Sequence, residues 1–288
     1  MKSIINYVII VLLIATTTSC EKVIDMDLPK GPALPFVDAW ITNQPGVQSI
    51  RFLKATDYMS PNGPEAISGA QISVTDLTSN TTYPFNYDNG AYTYDAGNTP
   101  IGIVGHAYKL SIVYNGETYE AVDTMMRTTV IDSLTYKYEE EDGEDEEGFY
   151  AKLYVHDVIG GIDYYWIRTY RNGQLNYHVG EMLSVDGAFD AEGITDGYAF
   201  IPVFRDGITS GEHPYQKGDE VKVVIRSVSK ETHRFLDIAV SQLYNQGMFA
   251  EVLSNVPTNL VNQQAGSTNK IYGWFGLAGE TEMSKQIQ

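Results

Sequence analysis

Tyr108-Lys109-Leu110-Ser111-Ile112-Val113-Tyr114-Asn115-Gly116-Glu117-Thr118-Tyr119-Glu120-Ala121 is the stretch that decides the fold class of this chain. Tyr108, Leu110, Ile112 and Tyr114 occupy alternate positions, and Tyr119 and Ala121 resume after Asn115-Gly116. Successive side chains on a strand point to opposite faces, so apolar residues at a period of two mark a strand with one buried face. Asn-Gly between two such runs supplies the positive φ angles of a two-residue hairpin turn. The stretch therefore predicts an antiparallel β-hairpin.

The pattern continues outward. Ala70, Ile72 and Val74 share one phase; Tyr83, Phe85 and Tyr87 alternate, and Tyr92 and Tyr94 follow Asp88-Asn89-Gly90. Short strands at this spacing predict a β-sandwich over residues 36–127. A second antiparallel β domain is expected over 130–288. There Leu134, Tyr136 and Tyr138 share a phase, and Phe149, Ala151, Leu153 and Val155 resume it. The acidic run Glu139 to Glu147 lies between them, in a hairpin connection. Such a run is ordinarily a solvated loop, the sharper alternative being a docking patch for a basic partner. Asp163 to Arg171, Tyr198 to Phe204 and Val221 to Val228 read as further strands. Phe235, Leu236, Ala239, Val240 and Leu243 instead follow helical spacing, with Ser229 as a start and Gly247 as a stop. They predict one helix over 230–246, with His233 on its solvent side. The tail from Phe249 is rich in Pro, Asn and Gly and carries a late apolar cluster at Ile271 to Leu277.

Upstream of the β pattern, Lys2 is followed by an apolar run to Ala15, then by Thr16 to Ser19 and Cys20. A short positive start, an apolar centre and small exit residues form a secretory signal, expected over 1–19. Cys20 is the only cysteine of the 288 residues. Its position suits attachment of a diacylglycerol, which would anchor the protein to a membrane. Thr17 stands where lipoprotein signals usually carry leucine; an ordinary secreted protein is the alternative. Residues 20–35, with Pro29, Pro32 and Pro35, read as a tether between lipid and first domain.

A net charge of −18 disfavours nucleic acid, whose phosphates are bound by Lys and Arg. A lone cysteine excludes an intrachain disulfide and cysteine-based zinc sites. Neither G-x-S-x-G, H-E-x-x-H, a P-loop nor G-x-G-x-x-G occurs. His156 and Asp157 are adjacent, and neighbours on a strand face opposite ways, so they do not form a site by themselves. Asp186, Asp190, Glu192 and Asp196 lie at loop spacing and are the candidate ligands of a calcium ion, although they do not fit the EF-hand pattern. Tyr164, Tyr165, Trp166 and Trp274 are the candidate ligand-binding aromatics, weighed against a core role that is the commoner use of such residues.

Several pieces in order carry a resemblance. Cys20-Glu21-Lys22-Val23-Ile24-Asp25-Met26-Asp27-Leu28-Pro29 is followed by Trp40-Ile41-Thr42-Asn43-Gln44 and by Ser68-Gly69-Ala70. Gly105 to Leu110, Asp163-Tyr164-Tyr165-Trp166, Gly218-Asp219, Asn255-Val256-Pro257-Thr258-Asn259 and Gly273-Trp274-Phe275 complete the series. Together they resemble the surface lipoproteins of the Bacteroidota called domain of unknown function 4249. The first β domain also resembles immunoglobulin-like and carboxypeptidase-regulatory-like modules. The resemblance implies an outer-membrane lipoprotein, more on the cell-surface than the periplasmic face. It also implies an accessory role beside a TonB-dependent receptor in nutrient capture, and it carries no catalytic residues. The expected protein is a non-catalytic binding subunit without a required cofactor, its ligand a small molecule or polymer. The competing readings are a surface adhesion or structural lipoprotein, and a carboxylate- or metal-dependent hydrolase.

Overall fold

The computed structural model describes residues 33–56, 63–189, 193–244 and 256–288. The expected signal, most of the tether and Cys20 lie outside them. Eight strands precede residue 127: β1 (Pro35–Thr42), β2 (Val47–Lys54), β3 (Glu65–Ala66), β4 (Gln71–Asp76), β5 (Thr81–Asp88), β6 (Ala91–Asp95), β7 (Ala107–Tyr114) and β8 (Glu117–Thr124). The later strands are β9 (Ile131–Glu139), β10 (Gly148–Val155), β11 (Tyr164–Arg171), β12 (Gln174–Leu175), β13 (Met182–Val185), β14 (Glu220–Val228), β15 (Val261–Asn262) and β16 (Tyr272–Gln286). Among the described residues two helices join them, α1 (Pro202–Asp206) and α2 (Lys230–Leu243).

The hairpin read first is present. β7 pairs antiparallel with β8, and Tyr108, Leu110, Ile112, Tyr119 and Ala121 are all buried. Asn115 and Gly116 have φ of 50° and 80°, the left-handed pair that a two-residue turn requires. Asn89-Gly90 and Asn172-Gly173 repeat this geometry. The acidic run connects β9 to β10, its residues 140–147 all exposed.

One mixed sheet runs through the order β12-β11-β14-β16-β1-β2-β6-β5-β4-β7-β8-β15, and β9 and β10 form a separate hairpin sheet. β5 changes partner midway: Thr81–Phe85 pair with β4 and Asn86–Asp88 with β6. The path thereby folds over, and the inward faces of β1, β2 and β6 enclose a first core with those of β4, β7 and β8. Val37, Ile41, Phe52, Val74, Leu110 and Phe275 lie in it. A second core holds Leu153, Tyr165, Ile167, Phe204, Val223 and Ile225.

β16 joins the two cores. Its first half pairs parallel with β1 and its second half antiparallel with β14. Fifteen residues at about 3.3 Å each give a strand of roughly 50 Å. The strands expected over 36–127 thus take their neighbour from the far end of the chain, and no separate immunoglobulin-like domain is seen among the described residues. Residues Ala33–Gln288 group as one compact unit.

Two further readings are corrected. Tyr198 to Phe204 is not a strand: Pro202 begins α1, where its missing N–H and fixed φ suit a first helical turn. His233 does not face solvent. It is half-buried against Tyr164, with ring centroids 5.2 Å apart, and its Nε2 has no hydrogen-bond partner among the described residues. α2 begins as expected, the Ser229 hydroxyl accepting from Thr232 N; its described part ends at Leu243, and residues 245–246 lie outside the described set.

Asp76 closes β4 in the inward phase and is 1% exposed. Burial pushes its carboxyl up, but hydrogen bonds from His106, from the Ser79 hydroxyl and from the Thr78 and Ser79 N–H groups prevail and hold it at about 2. A carboxylate with a depressed folded-state pKa stabilises the fold above its unfolded value, and this contribution is lost as pH falls through the folded value. Wild-type stability is therefore expected to drop by about 2 kcal/mol more than that of Asp76→Asn between about pH 5 and about pH 2. Urea unfolding across that range checks it; parallel curves would refute it.

Candidate functional site

The inward phase of two strands ends in carboxylates. Ala151, Leu153 and Val155 of β10 lead to Asp157, and Asp163 precedes Tyr165 and Ile167 of β11. A third acid, Asp186, follows β13. Tyr164 pairs with Val185, so Asp163 and Asp186 form the next rung of that ladder. Asp186 N–H donates to Asp163 O at 2.9 Å, and Asp163 N–H donates to Asp186 Oδ1 at 2.6 Å. The turn after β13 places Asp186 at φ 49° and Gly187 at 71°. A side chain at Gly187 would meet the Phe200 ring at 2.4 Å, so this corner is built around glycine.

Asp157, Asp163 and Asp186 each offer an oxygen such that all three lie within 4.8 Å of one another. They are 5%, 3% and 0% exposed. Asp157 accepts from Tyr165 Oη at 2.6 Å and from Gly197 N at 2.9 Å. Asp163 faces Arg127, whose Nε lies 2.9 Å from Oδ1 and whose Nη2 lies 2.5 Å from Oδ2. Arg127 also donates to the carbonyls of Val158 and Ile159, which ties the 158–163 loop to it. Among the described residues, Asp186 Oδ2 has no hydrogen-bond partner, and neither has Thr195 Oγ1.

Burial pushes the Asp163 and Asp186 carboxyls above the usual carboxylate range. Arg127 opposes this at Asp163 and is itself held above its ordinary value by the ion pair, while the charges of Asp157 and Asp196 reinforce the rise at both acids. The Tyr165 phenol is pushed far up, first by burial and then by its bond to Asp157. Three buried carboxylates against one guanidinium leave negative charge uncompensated, and the donor set is all oxygen. Such a set can share protons or hold a hard cation.

The structure brings one of the four expected calcium ligands, Asp186, into this cluster. Asp196 is half-buried beside it, accepting from Gly160 N at 2.8 Å. Asp190 and Glu192 lie outside the described residues. Asp157 and Asp163 were missed as ligands, although their inward phase is visible in the sequence. His156, as expected, points elsewhere and bonds Asp132 at 2.6 Å.

The aromatic candidates occupy packing positions. Tyr165 is fully buried, and Tyr164 is half-buried against His233. Trp166, 7% exposed, donates to Glu181 Oε2 at 2.6 Å, with the guanidinium carbons of Arg168 and Arg226 at 4.7 and 4.8 Å from its ring. Trp274 stacks on Phe235 at 4.5 Å and donates to Thr232 Oγ1 at 2.9 Å. Thr232 Oγ1 in turn donates to buried Asp123, which also accepts from Leu277 N and so links β8, β16 and α2. Elsewhere an open groove of about 410 Å³ runs along β4, β5 and β7, with Gln71, Ser73, Asn86, Tyr87 and Ser111 among its walls.

These features define a mainly β protein built on one large mixed sheet, with a buried acidic cluster beside its second core. The chain belongs to the family described as domain of unknown function (DUF4249), whose model matches residues 21–284. No curated relative matches it significantly.

Proposed function

We propose that this protein is an outer-membrane lipoprotein, anchored through a lipid on Cys20, that serves a TonB-dependent receptor as a non-catalytic accessory subunit in nutrient capture. The observation that carries the reading is the position of Cys20. The only thiol of the chain follows the apolar run and its small exit residues Thr16 to Ser19, and it precedes both the tether and the β body. A lipid and a tether hold a binding module near a membrane partner and raise its effective concentration there. The missing hydrolase motifs favour binding over catalysis. The β1–β8 half is read as an immunoglobulin-like or carboxypeptidase-regulatory-like sandwich extended by β16. The groove along β4, β5 and β7 has the size of a small-ligand site, and its hydroxyls and amides suit a polar solute.

Deleting the gene and measuring both nutrient uptake and attachment tests this reading. Uptake of the receptor's nutrient is expected to fall while attachment stays unchanged. Unchanged uptake with reduced attachment would replace it with an adhesive role.

A further inference from the structure

We propose that Asp157, Asp163 and Asp186 bind one calcium ion, which fastens the loops at the ends of β10, β11 and β13. The inference is independent of the receptor role.

Four observations converge on it. First, calcium binds oxygens at 2.3–2.6 Å, so two oxygens on one ion lie at most about 5 Å apart. The three carboxylates meet that bound, with oxygens within 4.8 Å of one another. Second, Asp186 is fully buried, and its Oδ2 has no hydrogen-bond partner among the described residues although Oδ1 is satisfied by Asp163 N. An unpaired carboxylate oxygen in the interior is costly unless a cation or a proton completes it. Third, Arg127 is the one guanidinium bonded to the cluster and is committed to Asp163 and to two carbonyls. It offsets one of three charges. A divalent cation offsets the other two. Fourth, Thr195 Oγ1 is a second oxygen without a partner among the described residues, in the turn whose Gly197 N–H binds Asp157.

The donor chemistry selects among metals. There is no His or Cys in the cluster, which disfavours zinc and copper. Magnesium keeps several waters in a strict octahedron, whereas acids that are 5% exposed or less leave little space for them. Calcium accepts irregular sets of protein oxygens. The three acids come from two chain segments, so an ion there cross-links the 157–163 loop to the turn after β13. The sequence between Asp186 and Asp196 reads as a self-contained calcium loop; the geometry instead recruits its first residue into a site completed by the loop between β10 and β11.

The test uses the full chain purified in detergent, stripped with EDTA and titrated with CaCl2 or MgCl2. We expect one calcium per chain by calorimetry. The melting temperature should rise by roughly 5 °C or more at calcium a hundredfold above Kd, with a smaller response to magnesium. Terbium should bind in place of calcium and luminesce through energy transfer from Tyr165. Asp186→Asn keeps the shape and tolerates the positive φ. It should weaken calcium binding at least tenfold and abolish the melting shift. Metal analysis of the wild type needs no variant and reads the same claim if the substitution impairs folding. A wild type that takes up no calcium at millimolar concentration, and melts alike in EDTA and calcium, would overturn the proposal in favour of a shared proton. An equal response to magnesium would overturn the choice of calcium.

Discussion

A Cys20→Ala variant is expected to leave the membrane fraction almost completely. Each acyl methylene buried in a bilayer contributes about 0.8 kcal/mol, and two or three chains anchor a protein firmly where a single one binds reversibly. Cys20 is the only thiol in the chain, so no other cysteine can take the lipid. No helix among the described residues is long and apolar enough to cross a membrane in its place. The membrane-bound fraction should drop by on the order of a hundredfold. The fold should persist, because Cys20 lies outside the compact unit Ala33–Gln288. Fractionation after a high-salt wash, with circular dichroism of the released protein, checks both halves. A variant that sediments with membranes as before would remove the lipid anchor from the account.

Gly273→Ala is expected to be the most destabilising single substitution proposed for the β body. Gly273 pairs with Val37 in the parallel β1–β16 ladder and has φ of 92°. A Cβ there would lie 1.9 Å from the Val37 carbonyl oxygen and 2.9 Å from its N and C atoms. Backbone cannot swing aside as a flexible side chain can, so the two strands must separate locally. Positive φ adds its own strain. A loss of about 3–5 kcal/mol follows, in the range reserved for steric disruption of a core element. Gly116→Ala is the control: its φ is 80°, but its Cβ would meet nothing within 4 Å. It should cost only about 1 kcal/mol, the conformational share alone. Equal losses in urea unfolding would show that the β1–β16 contact is not the tight joint described here.

That joint was also the feature least legible in the sequence. Hairpins announce themselves through Asn-Gly turns between adjacent alternating runs, and Asn89-Gly90, Asn115-Gly116 and Asn172-Gly173 were all readable. β16 has no such neighbour. It is interrupted by Gly273, Gly276 and Gly279, and its second half is largely polar, so only Ile271 to Leu277 stood out. Its partner β1 lies more than two hundred residues away, and local pattern carries no information about pairing at that distance. Pro202 misled in the opposite sense: Tyr198 to Phe204 looks strand-like, yet the proline starts a helical turn.

The acidic cluster was half legible. Clustered acids after β13 drew attention to Asp186, while the acids that join it were hidden as strand-end residues. The phase of alternation holds the missing signal. Asp76, Asp123, Asp157 and Asp163 each sit where an inward-facing apolar residue would continue the strand, and all four are buried. Asp76 and Asp123 are satisfied by hydroxyl, imidazole or backbone donors, whereas Asp157 and Asp163 meet a third carboxylate. For the aromatic residues Tyr164, Tyr165, Trp166 and Trp274, sequence cannot separate a ring that binds ligand from one that closes a core. Tyr165 does the latter, its hydroxyl held by Asp157.

The central claim is partnership with a receptor at the outer membrane, and co-purification tests it most directly. Tagged full-length protein, drawn from outer membranes solubilised in mild detergent, is expected to bring down one TonB-dependent receptor in near-stoichiometric amount. Recovery of the tagged protein alone, or with receptor only in trace, would contradict the account.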